Sequence, residues 1–301
     1  MPRYQFRLLN VFAESTFGGN PLCVFEDGSG LSDTQMLMLA RQFNLSETAF
    51  LLPSAQADAA LRIFTPTGEL PFAGHPTLGA ADVARKMGAA GKLLRLDLRA
   101  GTVSVTQQDD RWTLTAARSV ADAGVRFCET GPAELSRMLG IGIEDMAADP
   151  CWIDTGSEQL LIALTSTDAV HKVKPGSEFS AHWPANARGR RNVLVWAFEQ
   201  HQQATPSPCG LRQAVAARYF FAGTQGVVED PGTGSATANL GAWLAKHRHA
   251  LPLAIDVSQG DAIDRPCRLS LDVAIDGRIM VGGRVIEIGN GCIELQPDLR
   301  D

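Results

Sequence analysis

No uncharged apolar stretch in this sequence approaches the roughly 20 residues that a helix needs to cross a bilayer, so a helical membrane span is excluded. Positive charge is not in excess either. Lys and Arg number 27 against 33 Asp and Glu, a net charge of −6, and the basic footprint of a nucleic-acid partner is missing. No run of like charges marks a tail or linker. The six cysteines (Cys23, Cys128, Cys151, Cys209, Cys267 and Cys292) are scattered, and none forms a C-x-x-C pair. In a chain this long, that spacing reads as free thiols in a reducing compartment, with neither a disulfide framework nor a metal site. The N-terminal MPRYQFRLLNVF lacks the basic-then-apolar layout and cleavage site of a secretory signal, so the expected location is the cytoplasm.

What is present is ordinary globular material: 301 residues, 45% hydrophobic and 20% charged, enough for one large domain or two medium ones. Alternating segments predict strands at 4–12, 47–52, 60–65, 93–98, 102–106 and 112–115 in the first part. Later ones fall at 160–164, 192–198, 217–221, 269–274, 278–281 and 292–295. A helix is predicted from Ser32, where Gln35 three residues on completes a capping-box layout, to about Phe43. Further helices are predicted near 76–87, 132–139 and 234–247. Many strands and few helices make the chain α+β in character, not a repeating dinucleotide fold.

Two of these helices are unusual. One follows Gly74-His75, has Pro76 in its first turn and stays neutral and small as far as Ala81. The other follows Asp230-Pro231 and carries no charge on any face from Gly234 to Ala245. A helix without a charged face must be enclosed, and small side chains let neighbouring backbone approach. Each half of the chain therefore combines several strands with one enclosed helix approached through a glycine-rich turn, a hidden two-fold plan. The break between halves is expected within 116–130, where strand alternation fails.

Helix N-termini carry unpaired N–H groups and partial positive charge, so both turns could hold a carboxylate, phosphate or oxyanion. Gly74 and Gly234 would allow close approach, and Thr77 and Ser235 would add hydroxyls. The plainer alternative, tight strand-to-helix turns, fits either one alone. Two such turns make a shared anionic pocket the better account. Neither has the lysine of a phosphate-binding loop or the full G-x-G-x-x-G spacing, so no nucleotide cofactor is expected.

Glu47, in NLSETAFLL, opens a predicted strand beside Ala49, Phe50, Leu51 and Leu52. Partial desolvation there would raise its pKa toward acid/base use, and Ser46 could bond a substrate. On the residues alone, a solvated strand-edge glutamate is the commoner outcome. His75 sits where a helix N-terminus favours the neutral imidazole, or it caps its own helix. His171, His182, His201, His247 and His249 have no comparable surroundings. Asp230 reads as the N-cap of the second helix, as a substrate-orienting group, or as both. Glu229 should point the other way along the strand.

The blocks FGGNPLCVF (17–25), NLSETAFLL (44–52), RIFTPTGELPFAGHPTLGAA (62–81) and ARYFFAGTQGVVEDPGTGSATANLGAWL (217–244) resemble, in order, the signatures of PhzF-like phenazine-biosynthesis proteins. The resemblance spans almost the whole chain. It implies the diaminopimelate epimerase fold: two pseudo-symmetric domains, each a mostly antiparallel β-barrel around a central α-helix, with the active site in the cleft between them. The domains would be 1–117, completed by a C-terminal strand at about 287–301, and 118–286. It further implies a cofactor-independent isomerase, usually a homodimer, acting on a small carboxylate with conjugated bonds. Glu47 would be the acid/base, assisted by His75 and Asp230, while Ser46, Gly74, Gly234, Ser235 and Asn20 would contact the substrate. Two departures, Asn10 where many relatives have aspartate and Gly232 at a variable position, touch none of this chemistry. The segment 167–191 carries no signature.

Racemases of this architecture use opposed cysteines at the two helix starts, and Ala73 and Pro231 occupy those places here. Two-thiol racemisation is therefore excluded, whereas one carboxylate relaying a proton along a conjugated system is not. The alternatives are a catalytically silent binding protein and an epimerase with non-thiol bases.

Overall fold

The computed structural model describes residues 1–199, 205–207, 210–223, 226–247 and 249–296. Cys209, His201 and residues 297–301 of the expected C-terminal strand lie outside them. Among the described residues, eighteen strands and six α-helices make the protein α+β. The chain forms two compact units, Met1–Leu114 with Gly282–Asp301, and Thr115–Val281.

In the first unit, β1 (Arg3–Val11) pairs antiparallel with β2 (Asn20–Phe25), and β2 runs parallel to β3 (Thr48–Leu52). Next come β4 (Ala59–Thr65), antiparallel to β3, and the short β5 (Gly68–Leu70). The strands β6 (Leu93–Leu98), β7 (Gly101–Gln108) and β8 (Arg111–Thr115) form a meander. Two helices intervene. In α1 (Asp33–Phe43) the predicted capping box forms: Gln35 N–H donates to Ser32 Oγ at 3.2 Å, and Ser32 N–H to Gln35 Oε1 at 3.0 Å. Asn44 ends it in the left-handed conformation. Its apolar face buries Met36, Leu39 and Ala40 against an aromatic layer in which Phe25 stacks on Phe50 at 4.8 Å.

The helix α2 (Gly74–Lys86) is buried at every residue from His75 to Ala84 and touches β1, β2, β3, β4, β6 and β7. Small residues are a steric condition of that enclosure. A Cβ on Gly79 would collide with Leu22 and lie 3.3 Å from Leu9 and Val11. One charge is admitted, because Asp82 accepts from Trp112 Nε1 at 3.1 Å and pairs with Lys86 at 2.9 Å.

The second unit contains β9 (Gly124–Phe127), α3 (Pro132–Leu139), β10 (Cys151–Asp154), β11 (Glu158–Ala163), α4 (Thr167–Lys172) and α5 (Phe179–His182). After these come β12 (Asn192–Phe198), β13 (Thr205–Ser207), β14 (Gly210–Gly223), β15 (Gly226–Asp230), α6 (Gly234–Lys246), β16 (Leu253–Gln259) and β17 (Cys267–Val273). The last strand, β18 (Ile279–Glu294), includes the boundary between units. Its later part pairs with β1. The sequence predicts two short strands there, because Gly282, Gly283, Gly289 and Gly291 interrupt the alternation within one long one.

The charge-free stretch of α6 is enclosed, with Ala236 to Leu244 buried against β10, β11 and β17. A Cβ on Gly241 would sit 2.9 Å from Leu271 and 3.0 Å from Val273. The signature-less segment 167–191 supplies core here: Ala169, Val170, Val173, Phe179 and Trp183 pack with Trp152 and Phe220. Arg218 of β14 pins it, donating to the carbonyls of Val170, His171 and Val173 at 3.3, 3.2 and 2.7 Å. A cation on the last carbonyls of α4 satisfies groups that the helix itself cannot.

Candidate functional site

The first unit gathers five of the expected residues around one end of its sheet. Because β2 and β3 are parallel, with Cys23 opposite Thr48, their N-terminal ends share one side. Asn20 begins β2, and Ser46-Glu47 immediately precedes β3. Gly19 delivers the chain to Asn20 at a φ of +84°, and a Cβ there would approach Ala13 and the Val11 carbonyl within 2.8 Å. Asn10 secures the same loop by donating to the Thr16 carbonyl at 2.7 Å.

Glu47 is not the solvated strand-edge residue that its position alone favours. Its side chain is 17% exposed, and Oε2 lies 3.5 Å from Nε2 of His75, itself 8% exposed. Burial pushes the Glu47 carboxyl above its ordinary range, and a Ser46 hydrogen bond pulls it back by less. At 3.5 Å the His75 contact is longer than a well-formed hydrogen bond. The imidazole adjoins the carboxyl without a well-formed hydrogen bond between Nε2 and Oε2.

His75 occupies the second position of α2, not a place before it, since the helix begins at Gly74 rather than 76. The N-cap, Ala73, makes no side-chain cap bond, and Thr77 Oγ1 donates to the Ala73 carbonyl at 2.7 Å. The N-cap residue itself thus supplies no side-chain acceptor to the first turn. A Cβ on Gly74 would meet nothing nearer than Leu114, at 3.9 Å. The packing of this unit leaves that position room.

In the second unit the cap assignment needs correction. The N-cap of α6 is Thr233, and Asp230 is the last residue of β15. Asp230 reaches the cap indirectly, its carboxylate accepting a short bond from Thr233 Oγ1. The turn is locked by Gln259, which donates to the Asp230 carbonyl at 2.7 Å and to Thr233 Oγ1 at 3.1 Å. Gln259 Oε1 also accepts from Thr233 N–H at 3.3 Å. Proline at 231 makes a strand-to-helix turn that lacks one donor, and the amide of Gln259 supplies the missing order. Gly234 and Ser235 open the helix, and Ser235 Oγ accepts from Gln159 Nε2 at 2.8 Å. Glu229 is occupied elsewhere, paired to Arg218 at 2.7 and 2.9 Å.

Cys23, Cys128, Cys151, Cys267 and Cys292 are free. Cys267 feels the Asp230 charge, but burial above all holds its thiol far up, so it is protonated and inert there. Among the described residues no group of three or more His, Cys, Asp or Glu could hold a metal ion, and no helix is long and apolar enough to cross a membrane. Sequence reasoning missed Gln159 and Gln259. Each is buried to 2% or less in a mostly apolar strand, and that contrast is the signal that could have found them.

Comparison with known proteins gives this arrangement a class, the isomerases. A protein 32% identical, aligned over 88% of this chain and 89% of its own length, is trans-2,3-dihydro-3-hydroxyanthranilate isomerase of Pseudomonas aeruginosa. An uncharacterized isomerase of Pasteurella multocida is 40% identical, over 96% of this chain and 93% of its own. The family described as phenazine biosynthesis-like protein, PhzC-PhzF, matches residues 9–290. The chain belongs to that family, and it is an isomerase. Solved structures agree on the fold. A PhzF-family protein of Bacillus anthracis superposes with a TM-score of 0.83 at 20% identity, covering 98% of this chain and 100% of that one. One from Enterococcus faecalis gives 0.77 at 25% identity with the same coverage.

Proposed function

We propose that this chain is a cofactor-independent isomerase that moves a proton within a small, conjugated, carboxylate-bearing substrate, with Glu47 as general acid/base. One observation carries the proposal: Glu47 is enclosed against His75 beside the start of α2, and burial raises its carboxyl toward neutral pH. A carboxyl group so tuned can both take and return a proton.

The compound named for the Pseudomonas relatives, trans-2,3-dihydro-3-hydroxyanthranilate, supplies the fitting chemistry. Its ring carries a carboxylate, two sp³ carbons and a diene, so its allylic C–H bond is acidified. Glu47 carboxylate removes that proton, and the bonding pair enters the π-system. The same carboxyl returns the proton to another ring carbon. Atoms and oxidation level are unchanged, so no electron or hydride carrier is required. In this proposal His75 holds the Glu47 carboxyl toward the ring, Ser46 and Asn20 contact ring substituents, and Gly74 leaves room for the ligand. Asp230, with Gly234 and Ser235 at the start of α6, binds the polar groups. The finer architecture belongs to the same proposal: pseudo-symmetric barrels around α2 and α6, a cleft between them, and a cytoplasmic homodimer.

The test is incubation of the purified chain with trans-2,3-dihydro-3-hydroxyanthranilate in heavy water, followed by mass spectrometry. Conversion to an isomer is expected, gaining up to one mass unit to the extent that the proton held on Glu47 exchanges with solvent between its removal and its return. Binding without conversion or uptake would make this a binding protein.

A further inference from the structure

The direction of a serine proton is normally invisible, yet around Ser235 the bonding partners fix it. The backbone N–H of Thr155 can only donate, and it donates at 2.9 Å to Oδ1 of Asn239 on α6. Thr155 Oγ1 bonds the same oxygen at 2.7 Å. The other end of the Asn239 amide is therefore Nδ2. It donates to the Ser157 carbonyl at 2.8 Å, and that acceptor confirms the orientation because a carbonyl can only accept. Nδ2 also donates to Gln159 Oε1. With its oxygen so assigned, Gln159 must present Nε2 to Ser235, and this bond is 2.8 Å long. Ser235 Oγ accepts there, so its own proton points to another partner.

We infer that Gln159, itself oriented by Asn239, is a positioning residue that holds the Ser235 hydroxyl as an outward donor for an anionic group of the substrate. Thr155, Gln159 and Asn239 are buried to 3% exposure or less, whereas Ser235 at the head of α6 is half-buried. The chain of amides thus runs from the core to one accessible hydroxyl. The enclosed side chain of Tyr219 on β14 adjoins Gln159. An amide relay costs less to bury than a charged residue and cannot change polarity with pH. A serine so held presents a pre-directed O–H, a favourable partner for carboxylate oxygen. An unheld serine would spend part of its time offering lone pairs to the same anion.

The inference rests on the proposed function, so its test separates the two. The probe is 3-hydroxyanthranilate, the aromatic counterpart of the relatives' substrate; it has no sp³ C–H to shift and reads binding alone. Affinity is measured by calorimetry for the wild type, Gln159→Met, Ser235→Ala and the double variant. Gln159→Met, similar in shape but without the donor, is expected to weaken the probe about fivefold to tenfold. In the Ser235→Ala background the same change should weaken it by less than about twofold, because its effect runs through the hydroxyl. Independent, multiplying losses would overturn the inference and leave the proposed function standing. A wild type that does not bind the probe overturns the ligand role of Ser235 along with that function. Should Gln159→Met fail to fold, Ser235→Ala alone still decides the matter. NMR of its Gln159 side-chain amide should show a shifted, faster-exchanging Nε2–H pair, and an unchanged pair refutes the relay.

Discussion

Replacing Glu47 by glutamine tests, in one substitution, both the chemistry and the physical state on which the chemistry depends. Glutamine keeps the shape and the contact at 3.5 Å with His75 but can neither accept the substrate proton nor ionise. General acid/base catalysis is worth about 10²- to 10⁴-fold in rate, so turnover should fall by that factor or more, a barrier increase of about 3–5 kcal/mol. Affinity for 3-hydroxyanthranilate should change little. Stability should move in the opposite direction. Burial raises the Glu47 carboxyl above its unfolded value of 4.5. Below that pH both states are protonated and ionisation costs nothing. As pH rises, the unfolded state ionises first, and the folded state loses stability until its own pKa is passed. Glutamine escapes this loss. The Glu47→Gln variant should gain stability over the wild type between acid and neutral pH, the gain growing as pH rises and vanishing in acid. Urea titrations across pH 3–8, with turnover measured alongside, provide the data, and repeating them in a His75→Asn background takes the adjoining imidazole out of the titration. A variant that retains activity, or whose stability tracks the wild type at every pH, refutes the argument.

Two further outcomes concern parts of the fold away from this chemistry. Asp82→Ala strands the Trp112 N–H, buried at 1% exposure, and removes one of the two carboxylates that pair with Lys86, the other being Glu287, so urea unfolding should show a loss of about 1–3 kcal/mol. Trp112→Phe should cost less through the bond alone, since Asp82 keeps Lys86, and the reverse order would contradict this account of the buried charge. Native iodoacetamide labelling followed by peptide mapping should modify exposed Cys292 well before Cys23 or Cys267, whose burial holds both thiols protonated. Equal labelling without denaturant would show that those cores open readily.

Local signals in the chain had local consequences. Ser32 and Gln35 announce α1 because a capping box needs only four consecutive residues. The charge-free run from Gly234 announces an enclosed helix because nothing else spares twelve residues from charge. Strands were harder where sequence rules point the wrong way. Asn20–Phe25 opens with Asn-Pro, which demotes a segment from strand to loop, yet Pro21 lies at the very end of β2, where its missing donor is tolerated. The start of α2 shows the limit of cap rules, since Ala73 is a poor N-cap in any propensity scale yet begins the helix. Asp230 misled for a related reason. It looks like a cap, and it acts on the cap through Thr233.

The two glutamines show why a site of this kind is only half legible in its sequence. Glu47, His75 and Asp230 announce themselves by charge or position, because reacting groups must be chemically distinctive. The residues that order the start of α6 are buried amides, and their value lies in what they cannot do: they do not ionise, and their donors and acceptors sit at fixed ends. Gln159 and Gln259 lie on different strands, β11 and β16, and serve different atoms around one helix start, α6. No spacing rule links positions 159 and 259 to 230–235, since the topology alone brings them together. A buried glutamine in an apolar strand is costly unless both ends are satisfied, and here each end is. Sequence reading can find such residues by asking which polar side chains a strand has no structural reason to keep, and the substitution at Gln159 asks that question by experiment.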